Sequence, residues 1–313
     1  MNIIFMGTPD FAVPCLNALI DSGETVTAVF TQPDKPKGRG YKLTPPPVKE
    51  IALSHNIPVY QPLSLKKGED GAKALQIVRD ISPDLIIVVA YGKILPKEIL
   101  DAPKYYCINV HASLLPKYRG AGPIQWSVLN GEKQTGVTTM LMAEGLDTGD
   151  MLLSKSVEIG ENETATELHD RLAKLGAEVL LDTVAAVKSE SLAPVPQDES
   201  QSCYAPMLTK DMRPIDFKKP AQEVHNHIRG LSAFPCATTA IDGKQLKVYR
   251  SEIVKGMHTK AAAGTVVNVS DFTVACGDGG CVRFAEVQAE GGKRMSAKDY
   301  LRGRAIKEGT ILE

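Results

Sequence analysis

The chain opens on Ile3-Ile4-Phe5-Met6, apolar at every position, and stops at Gly7-Thr8-Pro9. A short run with no polar face predicts a strand covered on both sides. Asp10 stands where it can cap a helix running through Ile20, with Pro14 in the first turn, and residues 26–31 predict a second strand. Strand, helix and strand within about thirty residues form a right-handed βαβ unit, so the pairing is parallel. Helix follows over 48–55, a short strand over 58–60 and helix over 72–79. Residues 84–90 predict a central parallel strand, since every position after Asp84 is apolar, and they end at Tyr91-Gly92. Tyr105, Tyr106, Ile108 and Val110 suit a pleated surface and predict a strand ending near His111. Helix is predicted over 123–130, and strands over 136–142 and 151–157. Thr164-Ala-Thr-Glu167 has capping-box form and opens a long helix toward Lys188, with Leu168, Leu172, Leu175, Val179 and Val184 on one face.

Residues 190–206 hold Pro194 and Pro196 among polar side chains and read as a linker between a first domain, 1–189, and a second, 207–313. Beyond it the spacing changes. A helix over 221–229 is followed by close-set strands over 237–241, 245–251, 264–269, 272–276 and 281–285, with Asp242-Gly243 as a hairpin turn. The fold class expected is α/β: a Rossmann-like N-terminal domain with a mostly parallel sheet, then a smaller OB-like β-barrel of the kind that often carries nucleic acid.

Charge adds one feature. The net charge is −1, but residues 207–313 hold 17 Lys+Arg against 12 Asp+Glu, leaving 19 against 25 for the rest. A modestly basic tail is compatible with a polyanionic partner, and equally with a solvated mixed surface. The six cysteines have no metal-ligand spacing, and Cys276 and Cys281 flank Gly-Asp-Gly-Gly as a hairpin would. Without a basic leader or an apolar run of ~18 residues, the chain is expected to be soluble and cytoplasmic.

Two stretches carry chemistry. Asn109 and His111 alternate onto one side of a strand end, where Pro116 and Gly120 break the run into a loop. Alone, such a pair is more often a hydrogen-bonded structural one. A second polar cluster after the next strand, Leu146-Asp147-Thr148-Gly149-Asp150, supplies a carboxylate that could meet His111 across neighbouring strands. Residues 32–49 hold five cations (Lys35, Lys37, Arg39, Lys42, Lys49), one acid and five prolines. They predict a long exposed loop, suited to phosphate contact or merely solvated. No G-x-G-x-x-G follows the first strand, and neither G-x-x-x-x-G-K-[ST] nor G-x-S-x-G occurs. His225 and His227, two apart on a helix, do not share a face and make a poor metal site.

Asn-Val-His-Ala-Ser-Leu-Leu-Pro-Lys-Tyr-Arg-Gly together with Gly-Leu-Asp-Thr-Gly-Asp resembles the signature of the folate-dependent formyltransferases. The opening Phe-Met-Gly-Thr-Pro-Asp-Phe, the loop Thr-Gln-Pro-Asp-Lys-Pro-Lys-Gly-Arg-Gly and the barrel-like tail are similar to members whose acceptor is an aminoacylated initiator tRNA. Phe234-Pro235-Cys236 departs from them, standing where a Trp-Pro-Gly-like pattern is expected. The resemblance spans nearly the whole chain and implies catalytic roles for Asn109, His111 and Asp147. It implies contact with 10-formyltetrahydrofolate by Tyr91, Gly92, Ser113, Leu114, Leu115 and Pro116, and tRNA contact by Lys35, Lys37, Arg39 and Lys42.

Formyl transfer to an α-amine passes through a tetrahedral oxyanion, to which Asn109 and His111 can each donate. Asp147 would orient the imidazole and stabilise its protonated form while a proton moves from the amine. The chemistry requires no metal, and a monomer is expected. Formyl transfer to a small amine, or hydrolysis of the folate donor, needs the same three residues but neither the basic loop nor the second domain. A non-catalytic RNA-binding protein would have little reason to hold all three.

Overall fold

A computed structural model describes residues 1–37, 41–304 and 306–313, with backbone alone at Lys37 and Lys42. It comprises two compact units, one of residues 1–120, 136–157 and 169–204, the other of residues 121–135, 158–168 and 205–313.

The strands of the first half of the chain are β1 (Asn2–Gly7), β2 (Thr25–Phe30), the short pair β3 (Lys35–Lys37) and β4 (Lys42–Thr44), β5 (Val59–Tyr60), β6 (Leu85–Val89), β7 (Tyr106–His111), β8 (Gln134–Leu141) and β9 (Met151–Glu158). Seven of them form one sheet in the order β5-β2-β1-β6-β7-β8-β9. The run from β5 to β7 is parallel and β8 turns antiparallel to β7. Helices α1 (Val13–Asp21), α2 (Pro47–Ser54), α3 (Gly68–Ile81), α4 (Lys97–Leu100) and α6 (Ala165–Lys188) accompany it, while α5 (Pro123–Leu129) lies in the second unit.

Both faces of the central strands are covered, which is why β6 is apolar at every position and wholly buried. On one face Ile4, Met6, Phe30, Ile86, Val88 and Cys107 share a core with Ala74 and Val78 of α3 and Ile99 of α4. On the other, α6 comes close at Gly176, where an added Cβ would lie 3.3 Å from Val110 Cγ1 and 3.7 Å from Cys15 Sγ. Val110 thus faces α1 and α6, and Asn109 and His111 project from the opposite face.

The helix after β1 begins later than its sequence suggests. Asp10 accepts from the neighbouring Phe11 N at 3.0 Å within a short 3₁₀ turn and does not cap α1. Pro14 falls in the first turn of α1, where its missing N–H costs nothing, and sets the start instead. Residues 32–49 are not a featureless loop either. β3 and β4 pair antiparallel, Lys35 opposite Thr44 and Lys37 opposite Lys42, and Pro36 is tolerated because a two-stranded sheet is all edge. Lys49 belongs to α2 and pairs with Asp34 at 2.8 Å. Arg39 lies outside the described residues.

The second unit holds α7 (Ala221–Gly230), β10 (Ala237–Ile241), β11 (Lys244–Ile253), β12 (Val266–Asn268), β13 (Thr273–Ala275), β14 (Cys281–Ala289), β15 (Arg294–Ser296) and α8 (Ala297–Gly303). Its antiparallel sheet runs β10-β11-β14-β13-β12, with β15 on β14. Asp242 and Gly243 both take positive φ, 49° and 71°, as a two-residue hairpin matching the twist of its strands requires. The ends of the sheet are joined by residues 310–313. Val266 N donates to Thr310 O at 2.8 Å and Leu312 N to Gly264 O at 2.9 Å, while Ala240 N donates to Glu313 O at 2.8 Å. That bridge turns an open sheet into a barrel around Val248, Phe272, Phe284 and Leu312. Among the described residues no helix is long and apolar enough to cross a membrane.

Candidate active site

β7 carries Asn109 and His111 to the carboxyl edge of the sheet. Asn109 lies opposite Val88 of β6 and Met140 of β8, and His111 opposite Thr138. This edge is where open α/β sheets bind ligands. The His111 ring is buried, and its Nε2 lies 2.9 Å from Tyr118 O. A carbonyl only accepts, so Nε2 bears the hydrogen and donates, leaving Nδ1 as the position that gains or loses a proton. Nδ1 faces Asp147 Oδ2 at 3.6 Å, beyond a hydrogen bond but within ion-pair range. Asn109 is half-buried, and its amide has no hydrogen-bond partner among the described residues.

Asp147 reaches His111 through an unusual backbone. Its φ is +52°, in the left-handed region that few L residues occupy. Gly120 N donates to its Oδ2 at 2.8 Å, and Gln197 Nε2 donates to the carbonyls of Asp147 and Gly149 at 2.8 and 2.7 Å. Gly149 must be glycine, because a Cβ there would fall 1.8 Å from Leu141 O. Gln197 is held in turn by Arg119 Nε at 3.0 Å, and both Nη atoms of Arg119 engage Glu199 at 2.9 and 2.8 Å. The Glu199 carboxylate pushes the Arg119 guanidinium up, and Arg119 holds Glu199 below the usual carboxylate range.

The loop after His111 is fastened from beneath. Thr138 Oγ1 donates to Ser113 O at 2.7 Å and accepts from Leu115 N at 3.2 Å. The Ser113 hydroxyl is buried and donates to Lys117 O at 2.6 Å, so it points inward. Leu115 is buried while Leu114 and Pro116 keep partial exposure. After β6, Tyr91 O accepts from Thr8 Oγ1 at 3.1 Å and Gln32 Nε2 at 2.9 Å, and Gly92 follows, exposed, at φ +77°. The Tyr91 ring lies in the core, where burial pushes its phenol up and its hydroxyl has no partner among the described residues.

The structure therefore brings Asn109, His111 and Asp147 to one place, with 113–116 continuing from it and Tyr91-Gly92 at the end of the adjacent strand β6. Lys35 is exposed on the hairpin beyond β2, and the backbones of Lys37 and Lys42 pair in the same hairpin. Sequence reasoning missed Thr138, Tyr118, Arg119, Gln197 and Glu199. Thr138 sits in a β-branched run that any buried strand would show. Gln197 and Glu199 are ordinary polar residues in a stretch that reads as a linker.

Residues 1–184 match a family model described as formyl transferase, and residues 207–305 one described as formyl transferase, C-terminal domain. A protein of Alkaliphilus oremlandii (strain OhILAs) named methionyl-tRNA formyltransferase is 51% identical over 313 residues, covering 100% of this chain and 99% of its own. One of the same name from Clostridium novyi (strain NT) is 51% identical over 315 residues, covering 100% of both. Among solved structures, a sugar 3N-formyl transferase, WlaRD, shares the fold at TM-score 0.69 and 21% identity, over 91% of this chain and 97% of that one. HypX from Aquifex aeolicus shares it at TM-score 0.65 and 16% identity, over 98% of this chain and 48% of that one.

Proposed function

This chain belongs to the formyl transferase family, and on that premise we propose that Asn109, His111 and Asp147 are its transfer centre, moving the formyl group of 10-formyltetrahydrofolate to the α-amine of methionyl initiator tRNA. The observation that carries this reading is the His111 Nδ1–Asp147 Oδ2 approach of 3.6 Å beside an Asn109 amide with no hydrogen-bond partner among the described residues.

The amine nitrogen, with an ordinary pKa of ~7.7–8.0, attacks the formyl carbon in its neutral form. The carbonyl oxygen becomes an oxyanion that accepts from the Asn109 amide. Losing one such donor typically costs ~2.7–4 kcal/mol of barrier. Nε2–H of His111 is committed to Tyr118 O, which fixes the tautomer and leaves Nδ1 to receive the proton shed by the attacking amine. Asp147 aligns the ring for that step. When the carbon–N10 bond breaks, N10 takes up a proton and tetrahydrofolate leaves, so the amine loses one proton and the folate gains one.

Folate contact in this reading falls to Leu114, Leu115 and Pro116, to the backbone of Ser113, and to Tyr91-Gly92. Lys35, Lys37, Arg39 and Lys42 hold the acceptor end of the tRNA. Residues 1–189 form the catalytic domain and 207–313 a tRNA-binding one, in a cytoplasmic monomer that needs no metal.

Formylation assays with charged initiator tRNA, uncharged tRNA and free methionine test this. Product is expected on the charged tRNA alone, and Asp147→Asn is expected to lower turnover ~10²–10⁴-fold with the fold intact. Comparable rates on free methionine would convert the reading to a small-amine transferase, and formyl-folate loss without acceptor to a hydrolase.

A further inference from the structure

Asp147 holds a left-handed backbone that non-glycine residues keep only where their surroundings over-determine it. One side chain holds this loop at two points. Gln197 spends both amide hydrogens on carbonyls two residues apart, Asp147 O at 2.8 Å and Gly149 O at 2.7 Å. Its oxygen accepts from Arg119 Nε at 3.0 Å. Arg119 lies between Tyr118, whose carbonyl takes the His111 hydrogen, and Gly120, whose N–H binds the Asp147 carboxylate. The segment carrying Gln197 is pinned at both ends. Met151 and Val195 exchange backbone hydrogen bonds of 2.8 Å, Arg119 N donates to Cys203 O at 2.9 Å, and Tyr118 N donates to Cys203 Sγ at 3.2 Å.

We propose that residues 195–203 are a strap across the transfer centre and that Gln197 is a positioning residue, setting the distance between the Asp147 carboxylate and the His111 ring. The proposal rests on the reading of that centre given above. Gln197 hydrogen-bonds to neither the ring nor the carboxylate among the described residues. It fixes the backbone from which the carboxylate projects and, through Arg119, the loop that holds the ring's other nitrogen. A neutral amide suits the task because carbonyls two residues apart converge on one atom that must supply two donors. A glutamate there would keep the bond to Arg119 and turn an acceptor toward both carbonyls.

The test is a double-mutant cycle on the full chain, read as kcat and KM with saturating formyl-folate and charged tRNA. Gln197→Ala and Gln197→Glu should each lower kcat by about 10–100-fold, the scale of a catalytic group misplaced by about an ångström, with both KM values unchanged. In an Asp147→Asn background the same substitutions should add less than about twofold, because Gln197 acts through Asp147. Circular dichroism melting confirms folding; Gln197→Glu, of unchanged size and still bonded to Arg119, serves if the alanine variant fails to fold. The proposal is overturned if kcat per folded molecule is kept while melting falls, if KM rises instead, or if the two losses multiply. Wild-type turnover in Asp147→Asn alone would remove the transfer centre itself, and with it the task assigned to Gln197.

Discussion

At the residue scale, the site is held by side chains that never reach a substrate in the proposed reaction. Tyr118 O decides which nitrogen of His111 is free, and it can do so because a neutral imidazole has one N–H to give. Thr138 is the plainest case. One hydroxyl, fully buried on β8, satisfies Ser113 O and Leu115 N and thereby sets the loop that follows His111. Thr138→Val keeps the shape and removes both bonds, leaving a buried donor and an acceptor unpaired. Stability to urea should fall by about 1–3 kcal/mol, the cost of leaving such groups unsatisfied. An unchanged midpoint would mean that water or a shifted loop replaces the hydroxyl.

At the element scale, the two units illustrate different limits of pattern reading. β1 and β6 announce themselves as buried strands because each is apolar on both faces, and the capping box at Thr164 is realised with Glu167 N donating to Thr164 Oγ1 at 3.3 Å. β15 escapes because three residues with one neighbour leave almost no period to detect. The bridge over 310–313 escapes for a related reason: its pairing with Gly264, Val266 and Ala240 is set by the closure of the barrel and not by its own side chains. Deleting 310–313 should therefore destabilise the second unit by at least the ~2–5 kcal/mol of a buried leucine, since Leu312 leaves with it. Denaturation followed at the single tryptophan, Trp126 in α5 of the same unit, would show the shift. An unmoved transition would mean the barrel does not depend on that bridge.

At the scale of the whole molecule, charge enters through pH more than through net charge, which is only −1. Burial pushes the Glu167 carboxyl up, and the Arg250 guanidinium and the Thr164 donors more than reverse it, leaving it at about 2 against an ordinary 4.5. A carboxyl depressed on folding contributes stability that is complete above its unfolded value and is lost as pH falls toward its folded one. The loss should run from about pH 4.5 to about 2. Burial also pushes His225 and His227 below the ordinary 6.5, so the unfolded chain takes up their protons first and stability begins to decline as pH drops below that value. Thermal melts across this range should show Glu167→Gln flattening the lower part of the curve and leaving the decline near pH 6 in place. An unaltered lower limb would exclude the Glu167–Arg250 pair as its source.

Sequence alone determined the order and kind of the long elements and the two architectures, because periodicity and turn chemistry are local, and it singled out Asn109, His111 and Asp147 as candidates because motif residues are fixed in type. It could not determine which nitrogen of His111 is engaged, that Asp147 takes a left-handed backbone, or that Gln197 donates to the carbonyls of Asp147 and Gly149. Those depend on which backbone groups arrive beside one another from segments up to some eighty positions apart, as Arg119 and Glu199 do. Hydrogen-bond partners of that kind leave no period and no composition bias. Only the closed fold brings them within reach.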